Sequence, residues 1–380
     1  MTTNTDFDGE RAYVLRGDHG SEAWVLPGIG DNCIAFHIDV AGQRAYLLST
    51  PASLLALRER PTFWGFPILS PYPGRHQTPF TWHGRQHTIA DNDRPGVAIH
   101  GIVAGAPWEV VDASGSSLTC RFDSERFPGR QERWPWPFTL TATHTVEGGA
   151  LRLDLALVNR ADEEIPHLLG LHPYFPIRFT PASQVAEGRP PSAADLAGEA
   201  AAPARETCRV WVAADELWVM KAGLGTGEIL RLQGDWDLRR PKSIAELERT
   251  LPPPPGPGWF GDDAAVQGPR LPVLLYGKRG ALRLRESGAD PNDKNGVISG
   301  IRDLASGIEM TLDTSAGFGS LALFCPPGQP FISLEPRSAV SDALTLMNDP
   351  RRLSTGVWSL GPGETWRASA RLSAAALRES

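Results

Sequence analysis

The chain lacks most of the features that would assign it quickly to a class. No run reaches the roughly 18 consecutive apolar residues that a membrane-spanning helix needs, and the polar stretch Met1 to Asp18 contains no leader-like apolar segment; a cytoplasmic location without membrane contact is the expectation. There are only four cysteines, Cys33, Cys120, Cys208 and Cys325. They are far apart and form no C-x-x-C pair, which predicts buried free thiols in a reducing compartment rather than a disulfide frame. Positive charge is also scarce, with 37 basic against 44 acidic residues and a formal net charge of -7. The longest basic cluster, Arg239-Arg240-Pro241-Lys242, is too short to track a nucleic acid, so none is expected as a partner.

Nucleophile and phosphate signatures are missing too. No G-x-S-x-G elbow occurs. Gly223-Leu224-Gly225-Thr226-Gly227 lacks dinucleotide-loop spacing and reads as a hairpin turn. The segment Asp290 to Gly296 resembles a calcium loop, but Lys294 occupies a ligand position. His167 and His172 are five residues apart and would leave opposite faces of a regular strand, so they do not form a metal pair. No metal and no cofactor is expected.

What is present is alternation. Leu151, Leu153, Leu155 and Leu157 recur with period two, and Phe138 to Val146 alternates before them. Glu147-Gly148-Gly149 between the two runs predicts an antiparallel hairpin. Further strands are predicted at Cys33–Ile38, Trp108–Val111, Glu216–Lys221, Ala281–Arg285, Ile308–Thr314, Ser320–Cys325 and Trp366–Leu372. Short strands separated by Gly, Pro, Asn and Asp indicate a mostly β chain, an antiparallel sandwich or barrel. Two short helices are predicted, Pro51–Glu59 with Thr50 as cap, and Ser243–Thr250 with Ser243 and Glu246 as a capping box. Residues 1–380 are read as one domain, with surface insertions at 181–206 and 243–262.

Three polar positions end strand-like runs: His100 in His100-Gly101, His172 in Gly170-Leu171-His172-Pro173-Tyr174-Phe175, and Glu335 in Leu334-Glu335-Pro336. Imidazole, with an ordinary pKa of about 6.5, exchanges protons near neutrality, and a carboxylate at the end of Phe331–Leu334 needs a partner or a purpose. A structural ion pair between Glu335 and Arg337 is the plainer alternative. The twelve tryptophans supply core packing or sugar-stacking surfaces.

Taken in order, Phe66-Pro67, Gly74-Arg75, His100-Gly101, Pro107-Trp108, the His172-Pro173-Tyr174-Phe175 block, Asp237-Leu238-Arg239-Arg240-Pro241, Leu334-Glu335-Pro336 and Asp342-Ala343 resemble the aldose 1-epimerase (galactose mutarotase) family over nearly the whole chain. The resemblance implies a large antiparallel β-sandwich of the galactose mutarotase-like type with a few short helices and a sugar cleft, in a monomer or homodimer. It implies His172 as general acid, Glu335 as general base, Arg75 and His100 as groups holding the sugar, and Asp262 or Asp263 as a hydroxyl-binding carboxylate. Gly74, Ile102 and Gly261-Asp262-Asp263 depart from the family's usual residues. The implied activity is interconversion of the α and β anomers of an aldohexose, with a monosaccharide as the partner and no cofactor. The His172 and Glu335 side chains are then expected to face each other across roughly the width of one pyranose ring. The alternatives are a sugar-phosphate 1-epimerase, using cations drawn from Arg121, Arg126, Arg130 and Arg133, and a carbohydrate-binding protein without turnover.

Overall fold

A computed structural model describes residues 3–181, 188–198, 201–250, 274–277, 296, 298–326 and 328–378. The described chain is mostly β, and its main sheets are antiparallel. The hairpin read from the leucine alternation is strands Phe138–Glu147 and Ala150–Asn159, in register from Phe138 opposite Asn159 to Glu147 opposite Ala150. Its two-residue turn needs positive φ at both positions, and Gly148 and Gly149 supply +54° and +70°. Leu151, Leu153, Leu155 and Leu157 are buried, whereas Arg152 between them is exposed. This hairpin sits within a nine-stranded sheet ordered Glu109–Ala113, Ser117–Asp123, Phe138–Glu147, Ala150–Asn159, Thr365–Ala376, Ile308–Thr314, Ser299–Asp303, Cys208–Val212 and Lys242–Ser243.

A second sheet runs Leu224–Arg231, Glu216–Lys221, Leu274–Gly277, Ser320–Phe324, Phe331–Arg337, Gly170–Leu171 and Ile68–Leu69, with Tyr174–Pro176 also paired to Phe331–Arg337. A five-stranded antiparallel sheet spans Thr3 to Tyr46. One core cluster draws Leu15 and Phe36 from the five-stranded sheet, Leu153 and Leu312 from the nine-stranded sheet, and Leu321 and Leu334 from the second. Antiparallel layers closed over a shared apolar interior make the sandwich that the sequence pattern predicts.

Most predicted strands lie within a residue or two of their observed bounds. Glu216–Lys221 and Ile308–Thr314 coincide with them. Gly223 turns the hairpin between Glu216–Lys221 and Leu224–Arg231. The four cysteines are buried and free. Ala281–Arg285 and the calcium-like residues 290–295 lie outside the described residues. Among the described residues no helix is long and apolar enough to cross a membrane.

Three expectations change. The first helix is Leu54–Glu59, capped by the Ser53 side chain, which accepts from the Ala56 amide; Thr50 instead bridges to Ser192. The segment from 181 to 206, expected as a surface loop, carries helix Ala193–Ala197 with a Ser192/Asp195 capping box and buried Ala193, Leu196 and Ala197. Helix Ala201–Thr207 follows it. Alanine-rich composition without a long period still forms short helices where caps and a docking surface are available. Helix Ile244–Thr250 is capped by Ser243, which accepts from the Glu246 amide at 3.0 Å. It buries Ile244 and Leu247, so the first part of 243–262 is core-facing and not an exposed insertion.

Because Leu153 is fully buried at the centre of the longest ladder, Leu153→Ala is expected to destabilise the fold by about 2–5 kcal/mol. Urea unfolding checks this; a change within error would contradict the packing described.

Candidate active site

The strand Phe331–Arg337 is buried at every position. Ile332 and Leu334 belong to the apolar core, and strand alternation sends Ser333, Glu335 and Arg337 to the other face. Across from it, the chain pairs in two pieces: Gly170 lies opposite Arg337, and Tyr174 lies opposite Ser333. Both pieces keep one register, so His172 falls opposite Glu335. Cross-strand side chains on one face start from Cβ atoms only about 4.5–5.5 Å apart. The result is direct contact, with His172 Nε2 3.3 Å from Glu335 Oε1. The expected gap of one pyranose width is therefore not seen.

Both side chains are buried, as is Arg337. Arg337 Nη2 donates to Glu335 Oε2 at 2.5 Å and Nη1 donates to Ser341 Oγ at 2.9 Å. The Glu335–Arg337 ion pair foreseen as a plainer alternative thus exists alongside the His172 contact: one carboxylate oxygen meets the cation and the other meets the imidazole. The Ser333 hydroxyl lies 3.0 Å from His172 Nδ1. The Tyr174 ring stacks on the imidazole at 4.7 Å with 5° between planes. Burial pushes the His172 imidazolium below its usual range; Glu335 opposes that shift and Arg337 adds to it.

His100 reaches the site through a tight backbone crossing. It has φ +60°, Gly101 follows at φ +66°, and a Cβ on Gly101 would lie 2.1 Å from the Ser70 carbonyl oxygen. Only glycine fits that approach. The His100 amide donates to the Gly74 carbonyl at 3.1 Å, and the Gly74 amide donates to His100 Nδ1 at 3.2 Å. With Nδ1 accepting, a neutral His100 carries its proton on Nε2. Burial holds its pKa well below the usual value, and His172, Arg337, Arg75 and His76 add to the drop. Its ring centroid is 5.2 Å from that of His172. The backbone at Gly74, with φ +70°, also favours glycine, and a Cβ there would meet Arg337 Nη1 at 2.4 Å, so a larger residue would have to displace that side chain.

Arg75 opens the short strand Arg75–Gln77, which pairs with Val97–Ile99. Its guanidinium makes a fork with Asp93, Nε to Oδ2 and Nη2 to Oδ1, each at 3.0 Å. These residues line one cavity of about 760 Å³, shared by Arg75, Asp93, His100, His172, Tyr174, Glu335 and Arg337. Aromatic side chains from Phe63, Trp64, Phe324 and Phe331 also line it, with Phe324 6.3 Å from the His172 ring between centroids and Phe63 5.4 Å from that of Tyr174. Trp64 Nε1 has no partner among the described residues.

The structure therefore brings His172, Glu335, His100 and Arg75 to one cavity. Asp262 and Asp263 lie outside the described residues. Asp237 and Arg239 pair with each other away from the cavity, and Asp342 accepts from Gln77 and Thr345 behind it. Arg121 and Arg126 both bind Glu109 at 3.0 Å at the surface. Arg133 lines the cavity and donates to the Gly101 carbonyl at 2.9 Å; the Arg130 side chain lies outside the described ones. Sequence reasoning missed Asp93, whose only signal is the turn-like run Asp91-Asn92-Asp93-Arg94-Pro95, and Ser333, which carries no signal without the register. Among the described residues no group of three or more His, Cys, Asp or Glu is placed to hold a metal ion.

Such a site sets an imidazole and a carboxylate in contact, beside further polar side chains, in a pocket of the size that suits a small organic ligand; groups of these two kinds are able to exchange protons. A model of the aldose 1-epimerase family matches residues 42–189. A galactose mutarotase-like protein from Clostridium acetobutylicum superposes with a TM-score of 0.74 at 17% identity, covering 99% of each chain. Galactose 1-epimerase from Lactobacillus acidophilus gives 0.68 at 14% identity, covering 100% of this chain and 99% of that one. An aldose epimerase homologue from C. elegans gives 0.66 at 15% identity, covering 100% of both. By a family match over residues 42–189 and by fold along nearly its whole length, the chain resembles the aldose 1-epimerases and is built on the galactose mutarotase-like fold.

Proposed function

We propose that the protein interconverts the anomers of an aldohexose, with His172 as general acid and Glu335 as general base. The observation that carries this reading is the 3.3 Å contact between His172 Nε2 and Glu335 Oε1 on the wall of the cavity. The reaction needs two proton transfers at oxygens bonded to the same carbon, C1. Those oxygens are closer together than a hydrogen bond is long, so an acid and a base in contact suit them better than a pair set a ring apart.

In the forward step Glu335 takes the proton of the C1 hydroxyl as C1=O forms. His172 Nε2–H gives its proton to the ring oxygen as the C1–O5 bond breaks. After rotation about C1–C2, the O5 hydroxyl attacks the other face of the aldehyde and returns its proton to His172, while Glu335 returns its proton to O1. Atoms, charge and protons balance without a cofactor. Arg75, fixed by Asp93, and the His100 Nε2–H are the donors for sugar oxygens, with Tyr174 and Trp64 along the cavity wall. Arg337 occupies Oε2 and leaves Oε1 for the substrate proton.

A second reading has one observation in its favour. Arg133 lines the cavity, and its buried Nε has no partner among the described residues, which suits a phosphorylated hexose. Polarimetry or NMR of freshly dissolved α-glucose, α-galactose and glucose 6-phosphate separates the readings. Acceleration confined to the phosphate ester supports the second, and binding without acceleration supports a carbohydrate-binding role.

His172→Ala and Glu335→Gln are each expected to lower turnover by roughly 10² to 10⁴ while retaining the native circular dichroism spectrum; full activity in either variant would remove its assigned role. A further expectation concerns pH. The imidazolium is the acid, so activity declines as pH rises through its pKa, and Arg337 depresses that pKa. Arg337→Gln is therefore expected to move the alkaline limb of the kcat/KM profile to higher pH. An unmoved or lowered limb would contradict the electrostatic role of Arg337.

A further inference from the structure

Ser333 is absent from the motifs that carry the family resemblance, yet it determines which nitrogen of His172 does the work. Its hydroxyl has one hydrogen. Ser333 Oγ lies 2.8 Å from the Pro173 carbonyl oxygen, which can only accept, so the hydrogen goes there. The oxygen that faces His172 Nδ1 at 3.0 Å then offers only lone pairs, and Nδ1 must be the donor. We infer that Ser333 is a positioning residue that pins one proton on His172 Nδ1, so that Nε2 alone exchanges a proton with Glu335 and the substrate. The inference rests on the proposed function for its consequence in catalysis, but not for the proton placement itself.

The surroundings make that placement consequential. With Nδ1 protonated, a neutral His172 turns a bare Nε2 toward Glu335 Oε1 at 3.3 Å. Two unprotonated acceptors facing each other in a buried site repel, so the resting pair shares one proton between Nε2 and Oε1. This is the proton the ring-opening step requires. In the opposite tautomer, Nδ1 would be bare and the Ser333 hydrogen would have to leave the Pro173 carbonyl oxygen, 2.8 Å away, to reach it. The other groups facing the imidazole do not compete for Nδ1. Glu335 and Arg337 lie on the Nε2 side, with the carboxylate between them. His100 meets the ring edge-on, and Tyr174 covers its face. Ser333 and Tyr174 are cross-strand partners, so the group that sets the tautomer and the ring that sets the plane form one rigid unit.

The test is a titration of histidine-labelled full-length protein by ¹⁵N NMR, with the His172 signal identified by its loss in His172→Gln. As pH is raised, Nε2 is expected to lose its proton first while Nδ1 keeps its own. Ser333→Ala is expected to shift the ring toward the Nε2–H tautomer and to lower kcat about 10- to 100-fold with little change in KM. Ser333→Thr, which keeps the hydroxyl, is expected to restore both. Loss of the Nδ1 proton first in the wild type would overturn the inference even if Ser333→Ala failed to fold, and so would a Ser333→Ala protein with unchanged tautomer and turnover. If Nε2 titrates first but no sugar undergoes accelerated anomer exchange, the proton placement stands and the proposed function falls.

Discussion

The contact between His172 and Glu335 is the constraint on which the rest of the site depends, and it is a consequence of strand register. Gly170 and Tyr174 are both paired to the strand Phe331–Arg337 in the same frame. A slip of one residue on either side would turn Glu335 into the apolar core and bring Leu334 to the cavity. The second side of the His172 segment is fixed as well, because its amide donates to the Pro67 carbonyl and the Tyr174 amide to the Gly65 carbonyl, each at 2.9 Å. His172 and Glu335 are thus held by backbone ladders and not by flexible loops, which is the condition that the proposed proton relay sets.

Keeping this many polar groups out of water requires compensation, and the site supplies it in part: Trp64 Nε1, Arg133 Nε, Tyr174 Oη and Arg337 Nε have no partner among the described residues, whereas other groups are paired. Glu335 has a cation on one oxygen and an imidazole near the other. Arg337 forks to Glu335 and Ser341, His100 is satisfied by the Gly74 amide, and Arg75 by Asp93. Burial drives His76 and His100 toward the neutral imidazole, which keeps positive charge near the carboxylate from accumulating. Gly101 is there because the Ser70 backbone passes too closely for a Cβ, and Gly74, at φ +70°, leaves room for the Arg337 guanidinium. The His-Gly and Gly-Arg dipeptides seen in the sequence are in this sense packing requirements of a polar site.

Much of the fold was legible in the residues because its signals are local. The leucine alternation and the Gly148-Gly149 turn define the central hairpin, and the period-two runs place most other strands. Helix Ala193–Ala197 was not legible. Five residues are too few for a helical period to show, and its stability comes from a capping box and from docking of Leu196. In the site, His172, Glu335, His100 and Arg75 were marked by motifs in the chain. Their spacing was misjudged because it follows from which residues face each other across strands distant in sequence. Ser333 and Asp93 escaped for the same reason, since a serine in a strand and an aspartate in a turn acquire meaning only when the partner strand or the facing arginine is known.

The central claim is that an acid and a base in mutual contact address the two oxygens on one anomeric carbon. A crystal structure of the protein with a bound aldohexose tests it most directly. The account predicts His172 Nε2 within hydrogen-bonding distance of the ring oxygen and Glu335 Oε1 within that distance of the C1 hydroxyl, with Arg337 still on Oε2. A sugar bound in the cavity with its anomeric carbon turned away from both side chains would contradict it.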